Sequence, residues 1–152
     1  MSAPPADVTI RPAVKADLDA IHAIERESFG DPWSHETFRN LLDRAPGTME
    51  VAVGAAGALI GYAVAWYAAD EAEIANIAVA PNARRKGVGA LLLDRLLQSA
   101  ATFGARTVFL EVRESNLEAR KLYDARGFGI VGRRKQYYRQ PDEDALIMRL
   151  GL

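Results

Sequence analysis

The sequence predicts an α/β fold of the α+β kind: one domain built on a mixed, twisted sheet of about seven strands, with helices on both faces. Three observations predict it. Strand-like and helix-like segments follow in the order β-α-α-β-β-β-α-β-α-β-β. Three consecutive apolar, turn-bounded segments between Met49 and Ala80 suggest an antiparallel meander. A strand ending at Val79 runs through a basic, glycine-containing turn into a long amphipathic helix.

Val8 to Arg11 reads as the first strand, stopped at Pro12. A helix from Asp17 to Phe29 puts Leu18, Ile21, Ile24 and Phe29 near one face, and Gly30-Asp31-Pro32 breaks it. Ser34 is suited to cap a short second helix, and Trp33 with Phe38 has the spacing of a hydrophobic staple. Pro46-Gly47 ends that helix. Strands follow from Met49 to Ala55, Ala58 to Tyr67 and Glu71 to Ala80. The next helix runs from about Gly89 to Phe103, with Val88, Leu92, Leu96, Ser99 and Phe103 on one stripe and Gly104 at C′. Arg106 to Val112 is too rich in β-branched and aromatic residues to prefer helix. Ser115 and Glu118 have capping-box spacing, so a helix is expected from there through Tyr123 to Arg126, ended by Gly127. Phe128 to Tyr138 and Ala145 to Leu150 close the chain as two strands around Gln140-Pro141-Asp142.

The chain's 152 residues suffice for one domain with a proper core, and 49% apolar with 26% charged residues is ordinary for a soluble protein. A net charge of −1 argues against a general nucleic-acid binder. The short cluster Arg133-Arg134-Lys135 reads as solvated surface. There is no cysteine, which excludes disulfides and thiolate nucleophiles and fits a reducing cytoplasm. His22 and His35 are the only imidazoles; no spacing resembles a metal site, and both read as surface or half-buried. Residues 1–7 lack the basic and apolar regions of a signal peptide and read as a flexible leader to a domain spanning 8–152. No apolar run approaches the length of a membrane span.

The densest chemical signal is Val79-Ala80-Pro81-Asn82-Ala83-Arg84-Arg85-Lys86-Gly87-Val88-Gly89-Ala90. Backbone N–H groups and a helix N-terminus converge there, where an anion can sit. Gly87 and Gly89 lack a Cβ and let the backbone approach a phosphate, while Arg84, Arg85 and Lys86 add positive charge. A Walker loop needs a lysine and a hydroxyl residue after its second glycine, and a dinucleotide fingerprint needs a small residue where Leu92 stands. Both fail. A pyrophosphate-bearing cofactor held mostly by main chain remains, beside the blander reading of an ordinary strand-to-helix turn.

Two side chains stand out downstream. Period-two alternation puts Val108, Leu110 and Val112 on one face and Phe109, Glu111 and Arg113 on the other. Glu111 thus lies beside Phe109 in a segment otherwise suited to core. Partial desolvation favours a carboxyl's protonated form, which suits a general base; the alternatives are a salt bridge to Arg113 or Arg106, or an edge open to water. Tyr123, one turn after the small Ala119, is either a core aromatic or a phenol directed at a leaving thiolate. An ordinary phenol (about 10) is a weaker acid than a thiol (about 8.5), so full proton transfer is uphill by roughly 2 kcal/mol. Hydrogen-bond donation is the safer role.

Further pieces stand in order: Pro32-Trp33-Ser34 with Phe38, Asn76-Ile77-Ala78-Val79, Arg84-x-x-Gly87-x-Gly89, Leu110-Glu111-Val112-Arg113-x-Ser115-Asn116, Leu122-Tyr123-x-x-x-Gly127-Phe128, Arg133-Arg134-x-x-Tyr137-Tyr138 and Glu143 to Met148. From about Val8 onward this succession resembles the ribosomal-protein-alanine N-acetyltransferases of the GNAT superfamily. The glycine loop alone marks only the superfamily; the Pro-Trp-Ser, Leu-Glu-Val-Arg and Tyr-Tyr segments are more specific. The resemblance implies a GNAT-like domain, acetyl-CoA as co-substrate without a metal, and transfer to the α-amine of a protein N-terminus, the alanine of a small-subunit ribosomal protein. It implies Glu111 as general base and Tyr123 as general acid. It implies that Ile77, Ala78 and Val79 hold the pantetheine arm and acetyl carbonyl. Arg84, Arg85, Lys86, Gly87, Val88, Gly89 and Ala90 correspond to the pyrophosphate loop, and Asn116 to a further CoA contact. Trp33, Tyr137 and Tyr138 correspond to walls of a peptide groove. His35 and the turn Arg139 to Asp142 are not fixed by the pattern. A cytoplasmic monomer or weak dimer, without direct nucleic-acid or membrane contact, is expected. Lysine side chains or a small amine as acceptor, and a non-catalytic acyl-CoA-binding module, are the alternatives.

Overall fold

Residues 7–139 and 141–152 are described by a computed structural model. The elements are β1 (Thr9–Pro12), α1 (Leu18–Ser28), α2 (His35–Leu42), β2 (Gly47–Val53), β3 (Leu59–Ala68), β4 (Glu71–Val79), α3 (Val88–Phe103), β5 (Thr107–Arg113), α4 (Leu117–Ala125), β6 (Gly129–Tyr138) and β7 (Glu143–Gly151). Their order is the one expected, and the strands form one seven-stranded sheet in the order β1-β2-β3-β4-β5-β7-β6. All neighbours are antiparallel except β4 and β5, which are parallel and joined across α3. The meander expected of β2, β3 and β4 is present.

Alternation along β3 builds both faces of the sheet. Tyr62 and Val64 join Leu18, Ile21, Ile24 and Phe38 under α1 and α2. Ala63, Ala65 and Tyr67 turn the other way, toward Leu92, Leu93 and Leu96 of α3 and Tyr123 of α4. Small residues let α3 lie close: a Cβ on Gly61 would stand 3.1 Å from both the Ala78 carbonyl oxygen and Leu92 Cδ1.

Two local expectations need correction. The buried stripe of α3 is Val88, Leu92, Leu93, Leu96 and Ala100, whereas Phe103 is 44% exposed and stacks on Tyr67 at 4.6 Å. Steps of four carry the buried seam from Leu96 to the small Ala100 rather than to Ser99 and Phe103. The Ser115–Glu118 capping box does not form. Asn116 caps α4 instead, its Oδ1 accepting from Ala119 N–H at 3.2 Å. Ser115 donates its N–H and hydroxyl to Glu143, and Glu118 pairs with Arg85 at 2.9 Å. By contrast, Ser34 does cap α2, accepting from Thr37 N–H at 3.1 Å, and Trp33 meets Phe38 with ring centroids 5.3 Å apart. No helix among the described residues is long and apolar enough to cross a membrane.

Candidate active site

The site begins where two parallel strands part. β4 and β5 pair from Glu71 with Thr107 as far as Ile74 with Leu110, and no further. At the same point β4 bulges: Val64 of β3 faces Asn76 and Ala65 faces Ile74, so Ala75 is the extra residue. Beyond it, β4 keeps β3 on one side and loses β5 on the other. Ala80 N–H donates to the Ile60 carbonyl at 2.8 Å, which makes that opposed pair a hydrogen-bonded one. Antiparallel alternation then turns the polar groups of Ala78 and Asn76 toward β3, and those of Ile77 and Val79 toward the opening. Of the three residues singled out on this strand, Ile77 offers its main chain and Val79 its N–H, the Val79 carbonyl being taken by Arg84, while Ala78 offers a buried side chain.

The basic turn lies at the end of this opening. Arg85 and Gly87 have φ of +62° and +84°, and Gly87 is the N-cap of α3, with no side chain capping the helix. The N–H groups of Val88, Gly89 and Ala90 have no acceptor one turn earlier, so the positive end of α3 is bare. A Cβ on Gly89 would meet only Leu122 and Val79 side chains at 3.5 and 3.8 Å, ordinary contact distances. The protein's own packing therefore does not demand a glycine there; an approaching ligand would. The three cations divide. Arg84 donates to the Val79 carbonyl at 2.9 Å and to Ser28 Oγ at 3.1 Å, and Arg85 is paired with Glu118. Lys86 stays exposed.

Glu111 is the first residue of β5 past its last pair with β4, so it stands at the apex of the opening. The expected faces hold: Val108, Leu110 and Val112 are buried in the core under α3, and Phe109, Glu111 and Arg113 face the other side. The partner of Glu111 is neither Arg113 nor Arg106. Arg134 Nε lies 3.2 Å from Oε1, while Oε2 is buried without a hydrogen-bond partner. A trough of about 390 Å³ runs down the sheet from this point, lined by Trp66, Glu73, Phe109, Glu111 and Arg134 among others. A wider hollow of about 530 Å³ between α3 and the β2–β3 hairpin is bordered by none of the predicted site residues.

Tyr123 on α4 is 7% exposed and meets Phe128 edge-on at 5.7 Å. Burial pushes its phenol up to about 12, away from the depressed value that full proton transfer requires. Asn116 heads the same helix, its Oδ1 engaged as the cap.

Arg133, Arg134 and Lys135 are exposed, as expected of that cluster, and the two arginines are also engaged in ion pairs. Arg133 grips Glu114 and Asp144 at 2.7 to 2.9 Å, and Arg134 also lies 5.4 Å from the Tyr137 ring centroid. A bulge between Arg134 and Tyr138, with Gln136 at φ +51°, brings Tyr137 round. Burial, then the charge of Glu111, raises both Tyr137 and Tyr138. Arg113 stacks over Tyr138 at 4.5 Å and donates to the carbonyls of Arg139 and Pro141, tying the β6–β7 turn to β5. Gln140 of that turn lies outside the described residues. Trp33 stands in the loop between α1 and α2. His35 is half-buried, its Nε2 2.8 Å from Asp19 Oδ1.

The model of the acetyltransferase (GNAT) family matches residues 18–128. The chain belongs to the GNAT acetyltransferases. Within that family, it is 35% identical over 144 residues to the ribosomal protein bS18-alanine N-acetyltransferase of Escherichia coli strain K12, covering 93% of this chain and 96% of that one. The crystal structure of the Escherichia coli ribosomal-protein-S18-alanine N-acetyltransferase matches with a TM-score of 0.87 and 34% identity, over 95% and 93% of the two chains. A phosphinothricin acetyltransferase from Sinorhizobium meliloti, in complex with AcCoA, matches with a TM-score of 0.83 and 28% identity, over 96% and 89%.

This GNAT acetyltransferase buries three carboxylates that the sequence alone did not mark, Asp17, Glu25 and Glu50, and Glu25 is the most enclosed. Glu25 is 1% exposed and accepts from Trp33 N–H at 2.8 Å, from Asn76 Nδ2 at 2.6 Å and from the Tyr62 hydroxyl. Desolvation raises it and the three donors pull it back. A signal was present: Glu25 lies seven residues after Leu18, on the apolar stripe of α1, where a carboxylate is out of place. Among the described residues no group of His, Cys, Asp and Glu has the arrangement of a metal site.

Proposed function

We propose that this enzyme transfers an acetyl group from acetyl-CoA to the N-terminal α-amine of a protein, the N-terminal alanine of a small-subunit ribosomal protein. The observation that carries the reading is the parting of β4 from β5 beyond Ile74 and Leu110, with Glu111 at its apex and the bare N-terminus of α3 at its end. The bS18-directed activity of the relatives, over nearly the whole chain, supports the choice of acceptor. The acetyltransferase domain spans 8–152. It acts in the cytoplasm as a monomer or weak dimer, without direct contact to nucleic acid.

The residues fit acetyl-CoA. The amides of Gly87 to Ala90 and the exposed Lys86 suit a diphosphate, with Arg84 and Arg85 adding field rather than contact. The outward main chain of Ile77 and the Val79 N–H suit an extended pantetheine arm, which would add to β4 where β5 has left it. Asn116, at the head of α4, makes a further contact to CoA in this reading. When bound, acetyl-CoA supplies a thioester whose carbonyl is open to a neutral amine. An N–H of Ile77 or Val79 donates to the acetyl oxygen as negative charge builds on it.

Glu111 takes the proton from the attacking amine, directly or through one water. An α-amine ionises near about 8, so a modest base suffices; a lysine amine, near about 10.4, needs more. Tyr123 donates a hydrogen bond to the departing sulfur. With its phenol at about 12 and a thiol at about 8.5, complete transfer is uphill by roughly 5 kcal/mol, so CoA departs as the thiolate, which solvent water protonates, while Glu111 later returns the amine's proton to solvent. Trp33 on one side and Tyr137 with Tyr138 on the other form the groove through which the peptide end enters.

The test uses matched peptides that begin with alanine, one with a free and one with a blocked N-terminus, with a lysine in each. The reading predicts acetyl-CoA-dependent acetylation of the free α-amine alone. Acetylation of the lysine, or only of small amines, gives the broader GNAT alternative instead.

A further inference from the structure

We infer that Glu25 is a positioning residue of the acceptor groove, a buried double-sided acceptor that ties the Trp33 wall to the bulged stretch of β4. The inference rests on the peptide-acetylating reading above.

Three elements meet on this one carboxylate, and they divide between its oxygens. Oε1 accepts from Tyr62 of β3 and Asn76 of β4, and Asn76 Nδ2 also lies 3.3 Å from the Tyr62 hydroxyl. Oε2 accepts from Trp33 N–H alone, at 2.8 Å. Asn76 is the residue next to the bulge at Ala75, where β4 leaves β5. Trp33 is held a second time through its ring, which meets Phe38, and Phe38 meets Tyr62 at 5.5 Å in a T-shaped contact. The loop between α1 and α2 is therefore referenced to the strand edge that offers its main chain to the thioester. A buried carboxylate without partners is costly, and here each oxygen has one or more. That makes the arrangement discrete: the loop is docked, or Glu25 is left short of a donor. Glu25 touches no reacting group.

The division between oxygens gives a selective test. Glu25→Gln keeps the shape, and its remaining oxygen can serve Tyr62 and Asn76. Its amide then faces Trp33 N–H, donor against donor, and only the Trp33 arm is released. Steady-state kinetics with an alanine-initiated peptide and acetyl-CoA should give a peptide KM raised roughly tenfold, the scale of one charge-assisted hydrogen bond. The acetyl-CoA KM should stay within about twofold. Trp33→Ala should raise the peptide KM as well, and the double variant should be no worse than Trp33→Ala alone, because both act through one wall.

Equal rises in both KM values, an unchanged peptide KM, or effects that multiply in the double variant would each overturn the inference. If Glu25→Gln does not fold, Glu25→Asp keeps the charge and shortens its reach, and it should give the same one-sided rise. A wild-type enzyme that acetylates no peptide α-amine overturns both the functional reading and this inference. An active wild type with an insensitive Glu25→Gln overturns the inference alone.

Discussion

Arg134 reaches from β6 across β7 to place its Nε 3.2 Å from Oε1 of Glu111 on β5. The contact anchors one carboxylate oxygen and leaves the other, Oε2, buried and without a partner. A carboxylate held in this way is oriented, with one oxygen left to take up a proton. The arrangement suits the general-base role proposed for Glu111.

Glu111→Gln should therefore lower kcat by roughly 10²- to 10⁴-fold, the usual weight of a general base. The Kd for acetyl-CoA, measured by calorimetry, should stay within about twofold, since Glu111 holds no part of the proposed CoA cradle. Unchanged turnover would remove Glu111 from the mechanism.

Gly89→Ala separates the fold from the ligand. The added methyl meets only side chains at 3.5 and 3.8 Å, and alanine suits the first turn of a helix, so Tm should hold or rise. Acetyl-CoA should bind at least about tenfold more weakly, because the same methyl intrudes where the diphosphate approaches. A variant that binds acetyl-CoA as the wild type does would show that the α3 N-terminus is not the cradle.

Tyr123 carries a pH prediction. Its folded-state phenol is raised to about 12, above an ordinary value of about 10, so it stays protonated throughout the assayable range. The kcat profile should show no descending limb from this group between about pH 8 and 10, while Tyr123→Phe lowers kcat roughly tenfold through the lost hydrogen bond. A limb in that window that vanishes in Tyr123→Phe contradicts the donor role. The linkage to stability has the same sign. A raised phenol contributes fully below about pH 10, and the contribution is lost as pH rises toward 12, so Tm should fall on that side.

Arg113→Ala should loosen the β6–β7 turn, since it removes donors to the Arg139 and Pro141 carbonyls and the cation over Tyr138. The expected result is a peptide KM raised roughly tenfold with the acetyl-CoA KM unchanged, read from initial rates. Parallel rises in both would assign Arg113 to the fold.

Features local to one element were legible in the chain. Alternation put Glu111 and Phe109 on the face opposite Leu110, and the Trp33–Ser34–Phe38 staple closed as its spacing required. The glycine turn led into α3 with Gly87 in the left-handed region. What escaped were features that need register between strands. The opening at Ile74 and Leu110 depends on a one-residue bulge at Ala75, which no periodicity marks. Arg134 finds Glu111 only because β7 lies between β5 and β6. Glu25 sits in the polar run Glu25-Arg26-Glu27, which masks a helical phase that points inward. Ser115 and Glu118 had a capping box's spacing, yet Glu143 and Arg85 offered each a charged partner from elsewhere in the fold.

The most direct measurement is a crystal structure with a conjugate of CoA and an alanine-initiated peptide. The account predicts the diphosphate on the amides of Gly87 to Ala90, the pantetheine beside Ile77 and Val79, and the peptide nitrogen within reach of Glu111 directly or through one water. A conjugate lodged elsewhere, with the opening between β4 and β5 empty, would contradict it.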